Sequence, residues 1–194
     1  MIHRTLIAAC SFVLLIPAIG NAIETLGFER TDQWDDVEVR IYEPHLLASV
    51  DVDGSFKDAG NAAFRPLFRY ISGRNVDNQK IAMTAPVIQS ASRKDDANWT
   101  VSFVMPASLL NTGAPNPTAQ QVEIVERSEQ LIAALSYSGS WRISLFEENK
   151  EKLIQQLARS QYSVCGEVMW ARHNAPFTPW FLKKNEVLIP VCRE

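Results

Sequence analysis

The chain has 194 residues, 46% apolar and 21% charged, and its 19 basic and 22 acidic side chains give a net charge of −3 at neutral pH. That is the composition of an ordinary globular domain, long enough to fill one core. With a slightly acidic balance and no Lys/Arg block, the chain has no counterion-release drive toward phosphate backbones, so nucleic acid is excluded as the expected partner.

Residues 1–22 read as a leader. His3 and Arg4 precede an apolar run from Leu6 to Ile19 that ends in Gly20-Asn21-Ala22. Small residues at the last and third-last positions suit a signal peptidase, so the mature chain is expected to begin at Ile23. The run is short for a bilayer, and no membrane span is expected in the mature chain; an uncleaved anchor is the alternative. The expected location is exported, periplasmic in a bacterium and otherwise secreted. Removing the leader takes away Arg4 alone among the counted charges and leaves 18 basic against 22 acidic side chains, a net of −4.

Residues 37–56, VEVRIYEPHLLASVDVDGSF, recur when the sequence is slid by 85 positions, as VEIVERSEQLIAALSYSGSW at residues 122–141. Identities fall at Val37/Val122, Glu38/Glu123, Leu46/Leu131, Ala48/Ala133, Gly54/Gly139 and Ser55/Ser140. Two copies of one unit, about residues 37–106 and 122–192, each too small to bury its own apolar face, are expected to close on a shared core.

In the first copy, apolar Val37, Val39 and Ile41 alternate with polar neighbours, as do Leu46, Ala48, Val50 and Val52, which predicts two half-buried antiparallel strands around the Glu43-Pro44 corner. From Ser55 the period becomes helical, with Phe56, Ala59, Ala63, Phe64, Leu67, Phe68 and Ile71 on a stripe, Ser55 as N-cap and Gly73 beyond the end. Pro66 is expected to kink that helix. Strands are predicted at residues 79–87 and 99–105, and residues 107–120 form a joint. The second copy predicts strands at residues 122–125 and 131–138, a helix from about Ser144 to Ser160 with Ser144 and Glu147 as a capping box, and strands at 164–172 and 186–192. The expected fold class is α+β: a duplicated strand-strand-helix-strand-strand unit forming a distorted antiparallel eight-stranded barrel with two helices packed outside.

Without Cys10 of the leader, Cys165 and Cys192 remain, an even number in an exported chain. If Arg172 stands opposite Asn185 in the last two strands, antiparallel pairing sets Met169 against Leu188 and Cys165 directly against Cys192, which predicts a disulfide. Two buried reduced thiols are the alternative.

The segments QKIAMTAPV and RHNAPFTPWFLKKNEVLI, with VEVRIYEP, DGSFKDAGNAAFRPLFRYISG and SGSW, resemble the SOUL or haem-binding protein family over essentially the whole mature chain. The resemblance implies a distorted barrel built by duplication, and non-covalent binding of haem or a related tetrapyrrole in an apolar cleft beside the first helix. The chain has His at 173 where relatives usually have Tyr, and Ala at 175 where they usually have Pro.

Haem is a flat apolar plate with two propionates at one edge, so its site needs an apolar slot, basic side chains at the mouth and, optionally, an axial ligand. Phe64, Leu67 and Phe68 on the first helix, Met83, and Phe177 and Trp180 in the aromatic loop are the candidate walls. Arg65 and Arg69, one turn apart, are the candidate propionate clamp. The residues alone favour ordinary core for Phe64 and Phe68 and an ordinary solvated face for Arg65 and Arg69; the resemblance brings the haem-site reading level with it. His173 is the candidate iron ligand; His45, at a strand corner, reads as facing solvent. No GxSxG, HExxH, CxxC, phosphate loop or EF-hand pattern occurs. A small-molecule hydrolase in the same cleft, which requires a carboxylate of raised pKa, and a non-haem amphiphile binder are the alternatives to an exported haem carrier or scavenger.

Overall fold

The computed structural model describes residues 23–94 and 97–193, so the expected leader lies outside the described residues. In chain order the strands are β1 (Glu24–Thr25), β2 (Phe28–Trp34), β3 (Val37–Tyr42), β4 (His45–Val52), β5 (Thr84–Ala85), β6 (Val87–Ala91), β7 (Trp99–Val104), β8 (Glu123–Arg127), β9 (Gln130–Ser138), β10 (Tyr162–Val164), β11 (Met169–Arg172) and β12 (Lys184–Arg193). The α-helices are α1 (Phe56–Ile71), α2 (Ser108–Thr112) and α3 (Ile143–Leu157).

The fold is α+β, as expected, with a strongly curled antiparallel sheet. Its strand order is β2-β3-β9-β12-β11-β6-β7-β4-β8, with β10 also on β12. Because β2 and β8 stand at opposite ends of that order, the distorted barrel expected takes the form of an open half-barrel. The first strand of each expected copy lies on the second strand of the other, β3 on β9 and β8 on β4. Glu38 faces Ala134, and Glu123 faces Ser49. Shifting the first pair by 85 residues, up for one member and down for the other, yields the second, so the two pairings share one register. The third strands, β6 and β11, also pair with each other.

Twelve strands and three α-helices among the described residues exceed the expected eight and two. Strand β2 escaped notice because it is exposed or only partly buried throughout and has no apolar period. Helix α2, a five-residue element, sits inside the expected joint and ends at Gly113, whose φ is +82°. The strand expected over 79–87 begins only at Thr84. Buried Asn75 accepts from the Gln79 N–H and donates to the Gln79 carbonyl, while the Ile81 N–H reaches the Ile71 carbonyl, so these residues bond to the end of α1 instead of a ladder.

Helix α1 follows its pattern in part: Phe64 and Phe68 of the expected stripe are exposed, and Tyr70 is buried instead. The Ser55 hydroxyl accepts from the Asp58 N–H at 3.2 Å, and Phe56, Ala59, Ala63, Leu67, Tyr70 and Ile71 are buried. Helix α3 lacks the expected capping box: it starts at Ile143 after Arg142, with no side-chain cap, and Glu147 pairs with Lys150. Both long helices cover one face of the sheet, α1 over β4 and β7 and α3 over β9 and β12. Phe56 stacks on Trp170 and Phe146 beneath them, at centroid distances of 4.6 and 5.6 Å.

Cys165 and Cys192 form a disulfide with Cα atoms 5.9 Å apart. The expected register holds in β11, where Met169 faces Leu188 and Arg172 faces Asn185. It slips by two residues at β10, where Ser163 faces Cys192, so the thiols meet diagonally instead of directly across. The slip lies opposite Pro190, which has no N–H for the ladder, and Gly166 crosses Pro190 so closely that a Cβ there would come within 2.7 Å of it. A two-residue slip preserves the face on which each side chain lies, so the bridge survives it.

Candidate functional site

A cleft of about 360 Å³ opens beside α1. Gly60, Asn61 and Phe64 form its helical wall; Met83, Thr84, Ala85 and Val87 its floor; Trp141 and residues 172–177 the opposite side. Strand β11 ends here, and the polypeptide turns through Asn174, whose side-chain carbonyl accepts from the Lys184 N–H at 2.6 Å and holds the turn closed. Lys183 donates to the Pro176 carbonyl at 3.0 Å and lies 4.1 Å from the centre of the Trp141 ring, tying the loop to the wall before α3.

Of the residues expected to form a haem site, Phe64, Met83, His173 and Phe177 line this cleft. Phe64 and Phe68 stack on each other at 5.5 Å and remain about half exposed, one step around α1 from its buried stripe. Phe68 is outside the cleft lining. Leu67 has no exposed surface and belongs to the core against β4 and β7, so it cannot touch a ligand. Trp180 is exposed in a short 3₁₀ turn, edge-on to Phe181, and is also outside the lining. Arg65 and Arg69 are exposed on α1 away from the cleft; Arg69 lines a separate hollow with Tyr70 and Arg74. Among the described residues they make no clamp at its mouth.

His173 points its Nε2 at Glu186 Oε2, 2.7 Å away. Glu186, almost without exposure, also accepts from Arg40 Nη2 at 3.0 Å and Ser136 Oγ at 2.7 Å. Arg40 bonds Glu38 and Tyr42 as well and packs over Phe28. Burial alone would raise the Glu186 pKa, but the hydrogen bond and charge of His173, then Arg40, hold it well below the usual carboxylate range. An ionised Glu186 fixes Nε2–H as the donor and leaves Nδ1 free of the carboxylate. His45, expected to face solvent, is instead buried, with Nδ1 2.7 Å from the Glu43 carbonyl, and burial lowers its pKa.

The pattern missed Arg172, a cation on the cleft wall with no carboxylate partner among the described residues. Its guanidinium lies 4.7 Å from the Trp170 ring centre and 5.2 Å from that of Trp141, and Nη2 donates to Gln89 Oε1 at 3.2 Å. Nε is buried without a partner. Burial in these surroundings pulls the guanidinium pKa down to about 10. The available signal was Gly60: a glycine inside an otherwise strong helical stripe costs about 1 kcal/mol relative to alanine and marks a close approach. A Cβ at Gly60 would come 2.8 Å from Arg172 Nη1.

Residues 23–190 match the family described as SOUL heme-binding protein. The chain belongs to that family. Among curated relatives of this SOUL chain, Heme-binding protein 2 of Homo sapiens is 28% identical over 189 residues, covering 87% of this chain and 90% of that one. Heme-binding protein 2 of Mus musculus is 28% identical over 165 residues, covering 77% and 78%. Among solved structures, the EcmrR C-terminal domain superposes with a TM-score of 0.58 at 10% identity, over 81% of the SOUL chain and 98% of that chain. A hydrolase from Listeria innocua superposes with a TM-score of 0.56 at 12% identity, over 81% and 92%. At those identities the two solved structures share the fold alone.

Proposed function

We propose that this SOUL protein binds haem, or a tetrapyrrole of the same shape, non-covalently in the cleft beside α1, as an exported carrier or scavenger. The observation that carries the reading is the cleft itself: apolar walls from Phe64, Met83, Val87 and Phe177, with Arg172 on the side, a cation without a carboxylate partner among the described residues. Those residues fit a flat apolar plate with an acidic edge. When bound, haem supplies a redox-active iron; the protein supplies the dry slot and the orientation.

His173 is the candidate axial ligand. Ligating histidines usually give their other ring nitrogen to a carboxylate, which sets tautomer and ring orientation, and Glu186 offers His173 that support. A hydrolase would require a cleft carboxylate of raised pKa. No Asp or Glu lines the cleft among the described residues, and Glu186 behind it is driven the other way. Export is supported by the leader pattern of residues 1–22 and by the Cys165–Cys192 disulfide, a bond retained in oxidising compartments.

Titrating hemin into the purified protein tests the binding: a saturable, shifted Soret band is expected, and a band identical to free hemin at every ratio would refute it. Intact mass of the protein recovered from its host tests export, the expected species starting at Ile23 with neither cysteine alkylated without reductant. A chain retaining residues 1–22 with both thiols alkylated would contradict it.

A further inference from the structure

We infer that Arg172 is the anion-holding residue of the cleft, so the ligand is an apolar molecule that must carry a carboxylate. The inference rests on the proposed function and names what that site selects. Arg172 is half-buried, and partly burying a guanidinium without a counter-charge is costly because part of its hydration is lost and only neutral groups replace it. Arg172 has aromatic rings and the neutral Gln89 where a counter-charge would stand. Gln89 cannot turn into an acceptor pair, since its Nε2 donates to the Phe56 carbonyl at 2.9 Å and the residue is buried.

The placement is specific. Gly60, which lines the cleft with Arg172, carries no side chain at the spot where a Cβ would approach Nη1 to 2.8 Å, so the helix yields room for the guanidinium. Lys183, also without a carboxylate among the described residues, lies 4.1 Å from the centre of the Trp141 ring that Arg172 shares, so a second positive charge stands behind this wall, outside the cleft lining. Glu186 is engaged by Arg40 and His173 and is not the missing partner. A guanidinium accepts a carboxylate through parallel N–H donors, and in a dry slot such a bond is stronger than in water. A ligand's acid group on Arg172 would restore the charge balance that the fold leaves open. The arginines of α1 take no part, because they stand outside the cleft.

The experiment compares hemin with hemin dimethyl ester, in which both propionates are neutral, on the wild-type protein and on Arg172→Met, Arg172→Lys and the Arg65→Ala/Arg69→Ala pair. Wild type is expected to bind hemin roughly tenfold to a hundredfold more tightly than the diester, the scale of one lost charge-assisted bond. Arg172→Met is expected to bind the two alike, Arg172→Lys to recover part of the preference, and the α1 pair to keep all of it. Near-ultraviolet circular dichroism, to which Trp141 and Trp170 beside the substitution contribute, verifies packing. Equal affinities for the two ligands on wild type would overturn the role of Arg172 while leaving haem binding intact, and this arm needs no variant to fold. An Arg172→Met protein that still prefers hemin would also overturn it. Binding of neither ligand to wild type would overturn the haem reading and this inference together.

Discussion

Two buried or partly buried arginines stand close to the same loop and are treated in opposite ways. Arg40 is 3% exposed and is surrounded by Glu38, Glu186, Tyr42 and the ring of Phe28, so that Glu186 pushes its pKa upward against the pull of burial. Arg172 has two tryptophan rings and a glutamine, no carboxylate among the described residues, and a pKa pulled down to about 10 by burial. A charge satisfied from within holds a fold together, while a charge left unbalanced on a cleft wall is reserved for something that arrives. The first belongs to stability and the second to binding, and substitutions should separate them.

The largest effect is expected from breaking the satisfied cation. Arg40→Met takes from buried Glu186 one of its charged partners, and urea unfolding should show a loss of about 3 to 5 kcal/mol. Arg172→Met leaves no orphaned carboxylate; lost cation–π contact and relieved desolvation offset each other, so its stability should stay within about 1 kcal/mol of wild type. Similar losses for the two would erase the distinction.

Opening the Cys165–Cys192 bridge sharpens the contrast from another side, because it removes stability without touching either cation. Its 27-residue separation corresponds to about 3 to 4 kcal/mol through the unfolded state. The Cys165→Ser/Cys192→Ser protein, where folded, should keep the hemin affinity of wild type; a weakened titration would tie the bridge to the cleft.

Of the two arginine sites, acid acts on that of Arg40. The folded pKa of Glu186 lies below its unfolded value of about 4.3, so its contribution to stability is complete above that pH and is lost as pH falls through the folded value. The stability gap between wild type and Glu186→Gln should therefore be widest above about pH 5 and shrink on acidification. A gap independent of pH would mean that Glu186 is not held ionised. The smallest effect is expected at Arg65→Ala and Arg69→Ala, which should change hemin affinity by less than about 0.5 kcal/mol, since both side chains are solvated and away from the cleft.

Period and register carried most of what was legible in the chain. The stripe of α1 is a local consequence of burial on one side, whereas β4 and β9, expected from their pattern as half-buried strands, are buried on both faces over residues 47–50 and 132–135; the 85-residue offset survives in the paired strands β3–β9 and β8–β4. The Arg172–Asn185 register was likewise legible, but its two-residue slip near Pro190 was not, because the slip arises from contacts between strands far apart in sequence. The site was harder. Phe64 and Met83 were found through family motifs, whereas the choice of Arg65 and Arg69 followed helical proximity to aromatic residues and overlooked that spacing along a helix does not tell which side a cleft opens. Arg172 looked like the polar end of a strand; only its meeting with Gly60, 112 positions earlier, gives it a role.

The most direct test of the central claim is a hemin titration of wild type against Ala175→Trp, which fills the cleft from its loop side without altering either arginine. Wild type should show a saturable, shifted Soret band, and Ala175→Trp should show little or none at the same concentrations. Equal Soret titrations for the two proteins would contradict binding in this cleft.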